Sequence, residues 1–242
     1  MIKRIAGIVV LFLLIGYLAF SIVGLTDSPM DDEICSDISV RVQDSLGYEL
    51  IDKDMVLELL TRKGVNPIDK TMSGINLDSM ERVLESHPLV VSAQCFKTPG
   101  GMVRVKIHSP ALMLRVMSRS GADYMVDSRG KIVDYRADGI NLPIASGYIS
   151  RSLASGRLAE LARYIQSDDF WRDQIEQIYV DEKGQIELVP RVGNHILALG
   201  DGSDAPEKLD RIFRFYKEGL NNIGWNKYHY ISAAFDGQIV CK

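Results

Sequence analysis

Cysteine is scarce in this 242-residue chain, and its odd count makes the first exclusion. Cys35, Cys95 and Cys241 cannot all pair within one chain, and no C-x-x-C spacing joins any two of them. Neither a disulfide framework nor a thiolate metal site is expected, and at least one thiol is left free or partnered elsewhere. Histidine is nearly as sparse. His87, His108, His195 and His229 stand apart, without the H-x-x-x-H spacing that puts two imidazoles on one helix face, and read as surface or strand residues. The acyl-transfer signatures G-x-S-x-G and S-x-x-K are missing, and Gly200-Asp201-Gly202 lacks the spacing of a nucleotide-binding turn. Asp168-Asp169 reads as capping charge at a helix start rather than as a catalytic carboxylate pair. Lys+Arg number 28 against 32 Asp+Glu, with a pI near 5.6 and no basic stripe interleaved with aromatics, which argues against nucleic acid as a partner. There is no internal repeat and no low-complexity segment. The expectation is a chain with no catalytic residue, no metal and no cofactor, a profile that favours binding over catalysis.

What the sequence does hold is one long apolar run. From Ile5 to Leu25 there are 21 residues without a charge, enough at about 1.5 Å per residue to cross a hydrocarbon core of roughly 30 Å. Lys3 and Arg4 precede it, and Asp27, Asp31, Asp32 and Glu33 follow it, so the positive flank stays in the cytoplasm and the body is exported. The expected order is a cytoplasmic flank over 1–4, a transmembrane helix over 5–25 in contact with membrane lipid, and an acidic linker over 26–37. The alternative is a cleaved secretory signal ending near Ala19-Phe20-Ser21, although the apolar core exceeds the usual ~7–15 residues.

Residues 38–109 read as a small α+β module. ISVRVQ, Ile38 to Gln43, alternates as a half-buried strand does. IDKDMVLELLTRKG spaces Ile51, Met55, Leu59 and Leu60 on one helix face, with Asp52 as cap and Gly64 as stop. NLDSMERVLESHP places Leu77, Met80 and Leu84 on another, capped by Asn76 or Asp78 and ended before Pro88. LVVSAQCF and MVRVKI then make two strands around a TPGG turn, giving the order β-α-α-β-β with two helices covering one face of the sheet.

Residues 110–242 read as strand-rich with two main helices. ALMLRVM, DYMVD and KIVDY form a meander that LPIASG closes by its proline and glycine. An amphipathic helix over Leu153 to Gln166 follows, then a short FWRDQ turn anchoring Phe170 and Trp171, then the strands IEQIYVD, QIELVP and HILALG. A helix with Asp204 as cap and Pro206 early buries Leu209, Ile212, Phe213 and Tyr216. The chain finishes in a hairpin, HYISAAF and QIVCK around a two-residue Asp236-Gly237 turn.

The β-α-α-β-β module resembles a POTRA domain. HPLVVSAQCFKTPGGMVRVKI resembles the matching run of the bacterial cell-division family FtsQ/DivIB, with Pro88, Val91, Ala93 and Val105 where that pattern has them. DYMVDSRGKIVDY, LPIASG, QIELVPRVGNHILALG, KLDRIFRFYKEGL and the final hairpin extend the resemblance over almost the whole exported part. The chain departs from the family pattern at Ile107-His108, where an acidic residue is usual, and at Ser232 and Ala234, where the family has Asp and Arg. The resemblance implies a non-enzymatic divisome scaffold of the inner membrane at the division septum. It would recruit coiled-coil proteins of the FtsB and FtsL type and, through them, the septal peptidoglycan synthase. The different-class alternative is a POTRA-containing envelope protein of secretion or outer-membrane assembly.

Independently of the family, the residues after the Asp236-Gly237 turn are expected at a sheet edge, and an unpaired edge is a template for strand addition, or for self-association. The expected partner surface is Phe235, Gly237, Gln238, Ile239 and Val240, with Tyr230 and Ser232 on the neighbouring strand.

Overall fold

The computed structural model describes residues 13–18, 33–43, 50–136 and 140–242. Most of the apolar run 5–25 lies outside them; residues 13–18 are helical and exposed. Among the described residues no helix is long and apolar enough to cross a membrane. The chain separates into two compact units, one built from Ile51–Ser86 and Ser92–Ile107 with the chain up to Gln43, the other dominated by His108–Lys242.

In the first unit β1 (Asp37–Gln43) leads to α1 (Lys53–Arg62), α2 (Leu77–Glu85), β2 (Ser92–Thr98) and β3 (Met102–His108). The sheet order is β1-β3-β2. Both helices start where a side-chain oxygen meets a free backbone donor: Asp52 accepts from Met55 N at 2.8 Å and Asn76 from Ser79 N at 2.9 Å. Leu59, Leu60, Met80 and Leu84 are buried as their spacing predicts, but Val56 rather than Met55 takes the inner position of α1, and Leu77 is half-buried. The first half of LVVSAQCF is not strand: Leu89 and Val90 are buried ahead of β2 by a turn in which Val90 N bonds His87 O. The β2–β3 turn needs glycine, because Gly101 has φ +68 and a Cβ there would lie 2.5 Å from Ile34 O.

The two edges of a sheet expose unpaired backbone groups. At β2 two of these donors are taken up from within the unit, since Glu85 Oε1 accepts from Ala93 N at 3.1 Å and Glu81 Oε1 from Cys95 N at 2.7 Å. Two carboxylates one helical turn apart on α2 thus occupy alternate donors of the edge strand.

The second unit is a nine-stranded sheet of order β12-β11-β10-β9-β8-β7-β4-β5-β6. Its strands are β4 (Leu112–Ser118), β5 (Asp123–Asp127), β6 (Ile132–Val133), β7 (Ile144–Gly147), β8 (Ile175–Val180), β9 (Ile186–Pro190), β10 (Ile196–Gly200), β11 (Tyr230–Ser232) and β12 (Val240–Cys241). LPIASG is therefore not merely a closing turn: Ile144–Gly147 is inserted between β4 and β8, parallel to both. Its short pattern ends at Gly147, where φ is +103 and a Cβ would lie 2.1 Å from Val180 O, so a glycine that reads as punctuation serves close strand approach.

Parallel neighbours require crossovers, and helices supply two of them. From β7 to β8 runs a helix that starts at Arg151–Leu153, widens through a π turn at Ala154–Leu158 and continues over Ala159–Ser167 (together α3), then α4 (Asp169–Gln174). Asp168 caps α4 by accepting from Trp171 N at 3.0 Å, which is the capping role its position suggests. From β10 to β11 runs α5 (Ala205–Phe215), extended by a π turn at Tyr216–Leu220. Leu158, Ala162 and Ile165 of α3 and Leu209, Ile212 and Tyr216 of the α5 segment share one core with Leu114, Val116, Ile178, Leu188 and Leu197 of the strands. Phe213 is only partly buried against that core. Asp204 does not cap α5: it is left-handed at φ 50 and its side chain makes no capping bond. Asp201 takes the neighbouring donors, accepting from Ser203 N at 3.0 Å.

The Asp-Ser-Arg-Gly turn between β5 and β6 is organised by Asp127, 1% exposed, which accepts from Arg129 N at 2.9 Å and Lys131 N at 2.8 Å and pairs with the Arg129 guanidinium at 3.0 Å. Asp127→Ala strands those donors and should lower unfolding free energy by about 2–4 kcal/mol, read as a shift of the urea midpoint; a change under about 0.5 kcal/mol would show that the turn holds without it.

Candidate functional site

The end of the nine-stranded sheet is built from a parallel and an antiparallel pairing. β11 lies parallel to β10, with Ile196 opposite Tyr230 and Ala198 opposite Ser232, and antiparallel to β12, with Ile231 opposite Cys241 and Ser232 opposite Val240. The final hairpin is wider than its sequence suggests. Ala233 N bonds Ala198 O at 2.9 Å, so the chain stays with β10 past the end of β11, and residues 233–239 form a seven-residue connection with the Asp236-Gly237 turn at its tip.

Hydrogen-bond alternation fixes what the edge offers. Tyr230 and Lys242 exchange both bonds, with Lys242 N to Tyr230 O at 2.9 Å and Tyr230 N to Lys242 O at 3.2 Å. The next antiparallel pair, Ile231 and Cys241, is then a non-hydrogen-bonded one, and the main-chain N–H and C=O of Cys241 point away from β11, out of the sheet. Ile239, two residues earlier, has the same sense by alternation, although it lies just before the strand.

Beside this edge a cavity of about 300 Å³ opens over β9 to β12, lined by Glu187, Ala198, Gly200, Tyr230, Ser232 and Val240 among others. Its floor is made of small residues. Ala198 and Gly200 alternate with buried Leu197 and Leu199 along β10, so one sheet face carries leucines into the core while the other leaves a hollow. Ser232 and Ala234 continue the hollow, and Phe235, 56% exposed, stands at its rim. The Tyr230 hydroxyl donates to Glu187 Oε1 at 3.3 Å; burial, then the Glu187 charge, raise its pKa. Burial likewise pushes the Cys241 thiol up, so it is held in the protonated form.

Of the residues expected at a partner surface, Tyr230, Ser232, Phe235 and Val240 come together around this cavity. Gly237 and Gln238 are exposed in the connection, and Ile239 is partly buried against the core. None of Phe235, Gly237, Gln238 and Ile239 is part of a strand. Sequence reasoning missed Glu187, Ala198 and Gly200 on the neighbouring strands; the signal for two of them was present as the small residues at alternate positions of HILALG. Among the described residues no cluster of His, Cys, Asp and Glu could hold a metal ion, and all three cysteines are free.

A buried contact supports the edge from behind. His195, immediately before β10, meets the Tyr216 hydroxyl through Nε2, while its Nδ1 has no partner. Its ring also packs edge-on against Tyr216 at 5.4 Å between centroids, and near Trp225 at 6.4 Å.

Comparison with protein families gives two matches. A family model described as "FtsQ/DivIB, C-terminal related" matches residues 111–242, and a POTRA-like domain model matches residues 33–108. No curated protein matches the chain.

Burial lowers the His195 pKa, so the folded state holds it neutral to lower pH than the unfolded chain, which protonates near pH 6.5. A depressed histidine pKa makes stability complete above the unfolded value and erodes it as pH falls through about 6.5. Thermal melts between about pH 7.5 and 5 should therefore show a falling Tm whose slope is reduced in His195→Gln; an equal slope in the variant would assign the acid sensitivity to other groups.

Proposed function

The chain belongs to the FtsQ/DivIB C-terminal-related family, preceded by a POTRA-like domain, and from that membership we propose that it is a non-enzymatic scaffold of the bacterial divisome. Family membership carries the cell-division role; the scaffold's partners and the way it holds them are the proposal. The observation that carries it is the unequal state of two sheet edges. In the POTRA-like unit Glu81 and Glu85 occupy two donors of β2, whereas at β12 the main chain of Cys241 points outward beside a hollow lined by Tyr230, Ser232 and Val240. An extended segment can add to β12 through backbone bonds and seat a side chain in the hollow, the usual division between affinity and specificity in strand addition.

The occupants that fit this reading are coiled-coil division proteins of the FtsB and FtsL type, each contributing a segment beyond its helix, and the septal peptidoglycan synthase is held through them. The run Ile5 to Leu25 would anchor the scaffold in the inner membrane with its amino terminus inside and both domains exported. Ser232 and Ala234, where the family pattern has charged residues, reduce charged contacts at the hollow and shift recognition towards backbone and apolar contacts.

The test is capture of division proteins by the full chain in detergent, with binding measured for Ile239→Pro and Ala198→Phe. Proline removes an outward donor without touching the β11–β12 bonds, and phenylalanine fills the hollow; each should weaken capture of the coiled-coil partner about ten-fold or more, with circular dichroism unchanged. Undiminished capture by both variants places the interface elsewhere, and recovery of secretion or outer-membrane assembly proteins instead would overturn the division reading.

A further inference from the structure

The outer face of the POTRA-like sheet is cationic and carries exposed apolar side chains. Along β3 the inward residues Val103, Val105 and Ile107 are fully buried, which turns Met102, Arg104 and Lys106 to the other face. Arg41 on β1 and Phe96 on β2 face the same way, and the Lys106 ammonium lies 5.3 Å from the centre of the Phe96 ring. Phe96 is 42% exposed and Met102 37%. Among the described residues Arg41, Arg104 and Lys106 take part in no ion pair. Among the described residues, the carboxylates nearest Arg41 in the chain are engaged elsewhere: Asp37 with Lys53 at 2.6 Å, and Glu33 with the backbone N–H of Gly100 at 3.1 Å and Gly101 at 2.8 Å. Most acids of the unit, Asp52, Asp54, Glu58, Asp78, Glu81 and Glu85, sit on the helices and their caps, behind the sheet.

We propose that this face rests on the anionic phospholipid surface of the membrane that residues 5–25 enter, with Arg41, Arg104 and Lys106 against headgroup phosphates and Phe96 and Met102 at the interface. The chain's own geometry favours lipid over other anions. Glu33 is fixed on the Gly100-Gly101 turn, so the polypeptide leaving the bilayer joins the fold at the Met102 end of this face. Only residues 26–32 separate that point from Leu25, a reach of at most ~29 Å when fully extended. Electrostatic attraction to a charged membrane acts over about a Debye length, roughly 8–10 Å, and each Lys or Arg near the surface strengthens binding about five-fold. The aromatic and the thioether supply what a polar partner would not need, amphipathic contact at the headgroup boundary.

The inference rests on reading residues 5–25 as an anchor, and the experiment separates the two. The full chain, carrying Gln94→Cys on the outer face or Glu58→Cys on the helix side, is reconstituted into nanodiscs of phosphatidylcholine alone or with phosphatidylglycerol, and maleimide labelling of each site is followed by peptide mass spectrometry. Retention of the chain in the discs reports the anchor; its loss removes both the anchor and this assignment. With the chain retained, position 94 should label several-fold more slowly in phosphatidylglycerol discs than in phosphatidylcholine, position 58 equally in both, and the slowing should vanish with Arg41→Glu/Arg104→Glu/Lys106→Glu. Equal labelling of position 94 in the two compositions overturns the proposal. Slow labelling in both shows the face covered by something other than anionic lipid, such as Asp27, Asp31 and Asp32 of the linker or a second copy, and overturns it equally.

Discussion

Backbone groups at the rim of a sheet must be bonded, hydrated or offered to a partner, and the way this chain distributes those three fates organises the rest of the molecule. The POTRA-like unit bonds two donors of β2 with glutamates from its own helix. The larger sheet ends at one side in β6 and at the other in β12, each two residues long, and at β12 Cys241 leaves a donor and an acceptor facing outward. Both units are α+β, and at β12 the exposed strand edge lies next to a hollow. Helices over one face, alternation along the strands and small residues on the opposite face of β10 are each needed to put that edge beside a cavity rather than beside a flat wall.

Element types were largely legible from the sequence wherever a periodic pattern ran for a full turn or more. The helices over 53–62 and 77–85, with their caps at Asp52 and Asn76, and the strands of QIELVP and HILALG follow from spacing alone. What escaped was decided at longer range. Nothing local distinguishes a closing LPIASG from a central strand, because the deciding contact is between Gly147 and the Val180 carbonyl. An Asp-Gly pair predicts a tight hairpin, but Ala233 spends its N–H on β10 instead of on the returning strand, and the turn opens. Asp204 has the residue type of a cap and, at φ 50, the wrong backbone conformation for one, while Asp201 accepts from Ser203 N just before it.

The candidate surface was legible in outline and not in composition. Reasoning along the chain finds the terminal strands, since they are contiguous; it does not find Glu187, Ala198 and Gly200, which adjoin them only through the pairing of β9, β10 and β11. Four of the seven residues singled out in sequence meet at the hollow, and the remaining three belong to the connection around Gly237. A strand-addition surface is a property of pairing order, which one strand's sequence does not encode.

The parallel pairing of β10 with β11 has a consequence in time. Those strands are linked by the whole segment from Asp201 to His229, so they cannot zip from a local turn as β8 and β9 can, and β12 has no neighbour in the sheet until β11 is in place. The outward-facing edge thus depends on a long-range closure, and a chain in which β11 has not paired has no such edge to present. On the strand-addition reading proposed above, recognition at β12 would act as a proofreading step for the fold, reserving the partner for molecules whose last crossover has closed.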